Sequence, residues 1–291
     1  MNKKFFAAGF ILLVVSCILF SCERDITVDL PEAEQKIVVE GYIEQGQKAV
    51  VMLTKSASFF APVDSASLAS YLVLDALVTV SDGITTDTLS LTIDTSYYVP
   101  ILYKSHSLIG QVGKTYSLKI VAEGKTLTAV TTIPQLVPLD SVWFKIQEGR
   151  DTLGYAWAHL TDPDTIGNCY RWFAKRLHKD KHFLTPPGSV FEDKFFNGKS
   201  FDFAYNRGTE PNSDAEDDNN DERGYFKIGD TIAIKFCSID RAHFEFWRKT
   251  DVQINSNGNP FGSPAPIPTN ITGGLGIWGG YAASYDTIIA Q

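Results

Sequence analysis

The chain begins with one long apolar run and then settles into short stretches in which apolar and polar residues alternate. Lys3 and Lys4 precede the run from Phe5 to Phe20, which is apolar apart from Ser16. A membrane-crossing helix needs about 20 such residues, so the run fits the h-region of a secretory signal better. From Ile37 onward the period is two. Thr115-Tyr116-Ser117-Leu118-Lys119-Ile120-Val121 is the clearest case, and Glu123-Gly124 turns it back into 125–133. Comparable runs at 37–43, 49–54, 72–81, 86–93 and 97–103 are rich in Val, Ile, Thr and Tyr. This spacing predicts an immunoglobulin-like or prealbumin-like β-sandwich over residues 36–135.

Ile133-Pro134-Gln135-Leu136-Val137-Pro138 interrupts the alternation, and two prolines this close make a stiff connector. A domain boundary is expected there. Residues 136–291 read as a second β-rich domain, with strands at 141–147, 154–160, 168–178, 199–205 and 231–237. In 168–178, Tyr170, Trp172 and Ala174 face one way, and Arg171, Phe173 and Lys175 the other. The second set reads as an exposed strand face, with an anionic lipid or glycan patch as the rival. One helix is predicted over 241–254, capped by Asp240, with Phe246, Trp247, Thr250 and Ile254 on its packing face. The segment up to Gly280 is rich in proline and glycine, its glycines suited to close packing around Trp278 and Tyr281. Residues 281–290 are expected to close the chain as a strand.

Leu19-Phe20-Ser21-Cys22 ends the apolar run and stands directly before Glu23-Arg24-Asp25. It resembles the lipobox of bacterial lipoproteins. That resemblance implies a thioether-linked lipid on Cys22 and removal of residues 1–21, leaving 22–35 as a polar tether. Val14-Val15-Ser16-Cys17 is a second candidate, but the apolar run continues past it. Loss of the signal removes two lysines and no acid, so the net charge falls from -8 to -10.

Composition narrows the class without naming an activity. The 291 residues are 44% hydrophobic and 12% aromatic, with 22 Gly and 13 Pro, which excludes collagen and low-complexity chains. The negative charge argues against nucleic acid as a partner. After processing, Cys169 and Cys237 remain, and in an exported chain they could form one disulfide or stay as buried thiols. Asp214, Glu216, Asp217, Asp218 and Asp221 lie in an acidic stretch and are the one candidate Ca²⁺ site, although the spacing departs from the EF-hand. A solvated acidic loop is the plainer reading. His178 and His182 lack the intervening Glu of H-E-x-x-H, and neither G-x-S-x-G nor a P-loop is present. No cofactor, no resident metal and no catalytic constellation are expected.

Four segments together carry a family resemblance. They are the lipobox with 37–43, then Gly113–Ile120 with Thr131-Thr132-Ile133-Pro134, then Phe196-Asn197-Gly198-Lys199, and finally Asn259-Pro260-Phe261 with 270–281. In this order they resemble a Bacteroidota outer-membrane lipoprotein family defined as a domain of unknown function. Its members tend to be found beside TonB-dependent transporters. The resemblance implies a chain anchored in the outer membrane by lipid, at the periplasmic face or cell surface. It further implies a non-enzymatic accessory of such a transporter. The alternative is a glycan- or peptide-binding surface lipoprotein that uses aromatics such as Trp143, Trp157 or Trp172.

Overall fold

The alternating runs become strands wherever one of their faces meets a hydrophobic layer. The computed structural model describes residues 34–57, 65–209, 222–256 and 266–291. Cys22 and the acidic residues Asp214, Glu216, Asp217, Asp218 and Asp221 lie outside these. The first half contributes β1 (Ile37–Glu44), β2 (Lys48–Lys55), the short helix α1 (Ser65–Ser70), β3 (Ala76–Ser81), β4 (Thr86–Ile93), β5 (Ile101–Ile109), β6 (Thr115–Ala122) and β7 (Lys125–Thr132). The second half contributes β8 (Ser141–Ile146), β9 (Leu153–Thr161), β10 (Cys169–Arg176), β11 (Val190–Glu192), β12 (Ser200–Tyr205), β13 (Phe226–Lys227), β14 (Thr231–Ile239), helix α2 (Arg241–Ser256) and β15 (Leu275–Ile289). The protein is mainly β, a sandwich carrying one substantial helix.

Eleven strands form one sheet in the order β11-β10-β14-β15-β1-β2-β5-β4-β3-β6-β7. β1 and β15 pair in parallel, Glu40 opposite Ile277 and Glu44 opposite Tyr281. The other ladders of this sheet are antiparallel. The sheet bends back on itself, so that β3, β6 and β7 cover one face of β1, β2 and β15. Val39, Ile43, Val51, Leu53, Ile120, Leu127 and Trp278 fill the space between. A second, smaller sheet of β12, β9, β13 and β8 covers the other half of the same face. Tyr170, Trp172, Phe226, Ile234 and Phe236 form that core.

The proline connector therefore divides two cores but not two sheets. β15, from the end of the chain, sits between β1 and β14, and residues 35–291 form one compact unit. β15 also begins six residues before the expected Tyr281, inside the glycine-rich stretch. These glycines belong to a strand because neighbours press on it. A side chain at Gly276 would collide with the Val39 carbonyl, and one at Gly279 would stand 2.2 Å from a ring carbon of His243. The helix begins as expected, with the His243 amide donating to Asp240 Oδ1 at 2.8 Å. Asp240 Oδ2 also accepts from the Thr131 hydroxyl at 2.6 Å, tying α2 to β7. Its packing face differs from expectation. His243 and Phe244 are buried, whereas Ile254 is 66% exposed.

Asp87 holds an irregularity in place. The β2–β5 register shifts between Lys48 and Val50, and the bulged segment of β5 frees backbone donors. Asp87 Oδ2 accepts from the amides of His106, Ser107 and Leu108 at 2.9, 2.7 and 2.9 Å, and from the Ser105 hydroxyl at 2.7 Å. Burial works against its charge, but these donors outweigh it and hold the carboxyl well below the usual range. A depressed folded-state pKa contributes stability above the unfolded value and loses it as pH falls through the folded one. Asp87→Asn is therefore expected to cost about 1–3 kcal/mol at pH 7. The difference from wild type should shrink in strong acid, as read by urea unfolding at both pH values.

Candidate functional site

The face of the central sheet opposite the two cores carries the chemistry. Strand alternation puts Glu40, Tyr42 and Glu44 of β1 on this face, with Ile277, Gly279, Tyr281 and Tyr285 of β15 beside them. Lys235 and Cys237 of β14 follow, and then Arg171 and Phe173 of β10. Helix α2, the turn at 94–98 and the segment 182–185 wall this face in. Between them lies a hollow of about 360 Å³. It adjoins a second of about 660 Å³ through Tyr42, Tyr97 and Lys235, which line both.

Arg171 and Lys235 are buried, at 6% and 9% exposure, so this side of β10 is not the exposed face that alternation suggested. The two cations are handled differently. Lys235 Nζ donates to Glu44 Oε2, and the Tyr285 hydroxyl donates to Oε1 of the same carboxylate. Burial alone would lower the Lys235 pKa. Its neighbours Cys237, Glu44 and Tyr285 outweigh that and hold the ammonium well above its ordinary value.

Among the described residues Arg171 has no carboxylate partner. Its guanidinium lies 3.7 Å from the Trp247 ring centroid and 4.7 Å from that of Phe173, against two aromatic faces. One terminal nitrogen donates to the Tyr281 hydroxyl at 2.6 Å. Among the described residues its Nε has no hydrogen-bond partner, and neither have Trp247 Nε1 and His243 Nδ1. The His243 ring packs against Tyr281 at 4.6 Å, tilted by 49°. Burial, reinforced by the Arg171 charge, keeps its pKa well below the ordinary value, so the ring is neutral. Glu40 is crowded by protein on all sides, yet it is the one exposed residue of β1 and opens onto the hollow. Burial raises its carboxyl pKa, and the Arg171 charge lowers it only in part.

Other expected site residues fall elsewhere. Cys169 and Cys237 are free, buried thiols rather than a disulfide. They share a face, but Cys169 stands opposite Ile239 and Cys237 opposite Arg171, so the two are diagonal neighbours. Diagonal positions lie about 7–8 Å apart, beyond the usual Cα span of a disulfide. Burial pushes both thiols up to about 12. Trp172 is fully buried in a core and offers no face to a ligand. Trp143 and Trp157 stack at 6.2 Å on the small sheet, with the Lys145 ammonium 5.1 Å from the Trp157 ring. Among the described residues no group of His, Cys, Asp and Glu could hold a metal ion. None of their helices is long and apolar enough to cross a membrane.

Sequence reasoning missed Glu40, Lys235 and His243 as site residues. The available signal was charge inside apolar strands: Glu40 within Ile37–Glu44 and Lys235 within Thr231–Ile239.

The chain belongs to the family described as Domain of unknown function (DUF4249), whose model matches residues 23–286. No curated protein matches the chain. Among solved structures, the crystal structure of chicken CNTN1 FN1-FN3 domains is similar at 11% identity and a TM-score of 0.24. The match covers 72% of this chain and 62% of that one.

Lys235→Met should cost about 3–5 kcal/mol in urea unfolding, because it strands the Glu44 carboxylate. The double variant Lys235→Met/Glu44→Gln should recover part of that loss. Cys169 and Cys237 are expected to be silent to Ellman's reagent in the native chain and to react after unfolding in guanidinium. A disulfide would leave them silent in both states.

Proposed function

We propose that this chain is a non-enzymatic binding protein of a Bacteroidota cell envelope that serves a TonB-dependent outer-membrane transporter. The observation that carries the binding part is the hollow over the sheet centre. Among the described residues, a buried guanidinium with an unpartnered Nε, an indole N–H without a partner and an exposed carboxylate outside any ion pair face it. Unmatched buried polar groups are costly in a resting protein. In a concave, aromatic-walled space they are what a ligand would complete.

The anchored part rests on the leader. The apolar run ends at Ser21-Cys22, and the family match begins at residue 23, directly after the cysteine. In this reading lipid on Cys22 holds the chain at the outer membrane, on the periplasmic face or the cell surface, and residues 23–35 set its reach. A multi-chain lipid anchor gives stable attachment where one acyl chain would be marginal.

A second reading, a surface lipoprotein that binds glycans independently of any transporter, is favoured by the stacked Trp143 and Trp157. Purification of the tagged, full-length chain from native membranes in mild detergent separates the two. A TonB-dependent transporter is expected to come with it. Recovery of the chain alone would remove the transporter part of the proposal.

A further inference from the structure

Within the site, the two charges left without a partner have opposite signs. Lys235 and Glu44 cancel each other in a shared ion pair. Arg171 and Glu40 face the same hollow, yet neither forms an ion pair among the described residues. Arg171 lies against the faces of two rings, Trp247 and Phe173. Such stacking holds the plane of a guanidinium and leaves its edge available, the geometry in which it recognises a carboxylate. The indole N–H of Trp247, which stacks on it, is an additional unpartnered donor.

The Glu40 end is the complement. The carboxylate opens onto the hollow near Tyr42 and Tyr97, and aromatic faces favour a cation beside them. Among the described residues no Lys or Arg forms an ion pair with Glu40. The hollow of about 360 Å³ falls in the lower part of the usual small-ligand range.

Resting on the binding reading given above, we infer that the hollow takes a zwitterion, a free amino acid or short peptide. Its carboxylate would lie on Arg171 and Trp247, and its ammonium on Glu40. The Tyr281, Phe173 and Phe183 rings would receive an apolar side chain. A neutral sugar would leave the buried Arg171 and the exposed Glu40 both unmatched, and a simple anion would leave Glu40 unmatched.

Calorimetric titration of the full-length chain with the dipeptide L-alanyl-L-phenylalanine tests this. The N-acetyl and the C-terminal amide forms of the dipeptide, and the neutral disaccharide cellobiose, are the comparators. Each block on the dipeptide is expected to weaken binding about tenfold or more. Glu40→Gln should weaken the free dipeptide and leave the N-acetyl form unchanged, a pattern that misfolding would not give. Equal binding of free and blocked dipeptides overturns the inference, as does no binding of the free form at millimolar concentration. Cellobiose binding without dipeptide binding overturns it too, yet leaves the binding reading standing. The transporter pull-down reports on the anchored reading independently of all of these.

Discussion

The parallel pairing of β1 with β15 is the constraint on which the rest of the structure depends. It places the first and last described strands side by side in the middle of an eleven-stranded sheet. Each strand therefore meets two different surroundings. On one face Val39, Ile43, Trp278 and Ala282 enter the sandwich core. On the other, Glu40, Glu44, Tyr281 and Tyr285 enter the cleft. Because side chains alternate with period two, a slip of one residue in this pairing would drive carboxylates into the core and leucine-like side chains into the cleft. Trp278 opposes such a slip. Its indole N–H donates to the Tyr116 carbonyl at 3.0 Å, and its ring packs on Gly41.

The polar face opposes it as well. Glu44 receives Lys235 from β14 and Tyr285 from β15, so one carboxylate joins three strands. Burying such a pair costs desolvation that its attraction only partly offsets, so its contribution is to uniqueness of register more than to stability. Arg171 contrasts with it on the same face. Aromatic contacts and the Tyr281 hydroxyl hold it in place but leave its Nε without a partner among the described residues. A fold that keeps one ion pair closed and one pair of charges open has tolerated local cost at a site.

Much of the fold was legible in the sequence. The alternation in β6, β7 and β10 and the Asp240 cap of α2 follow from period and capping alone. The division into two halves was legible as two cores. That one sheet serves both was not, because it depends on a pairing between residues more than 230 positions apart. The long β15 was hidden because glycine normally argues against strand interiors. Here the removal of side chains is what lets His243 and the Val39 carbonyl approach. The site was legible only as an anomaly. Lys235 in an otherwise apolar strand is a charge that alternation does not explain. Which neighbours would meet it is a matter of strand order, and strand order is not written locally.

The same arrangement bears on synthesis. A chain still lacking residues 275–291 leaves β1 and β14 as open strand edges facing each other across a gap, each rich in unpaired amides and carbonyls. Neither core can seal, and the loop that must close spans nearly the entire chain. The last fifteen-residue strand thus acts as the seam of the molecule. A polypeptide of this design keeps these central edges open until the strand at 275–289 is made, and is most exposed to chaperones and proteases in the interval just before.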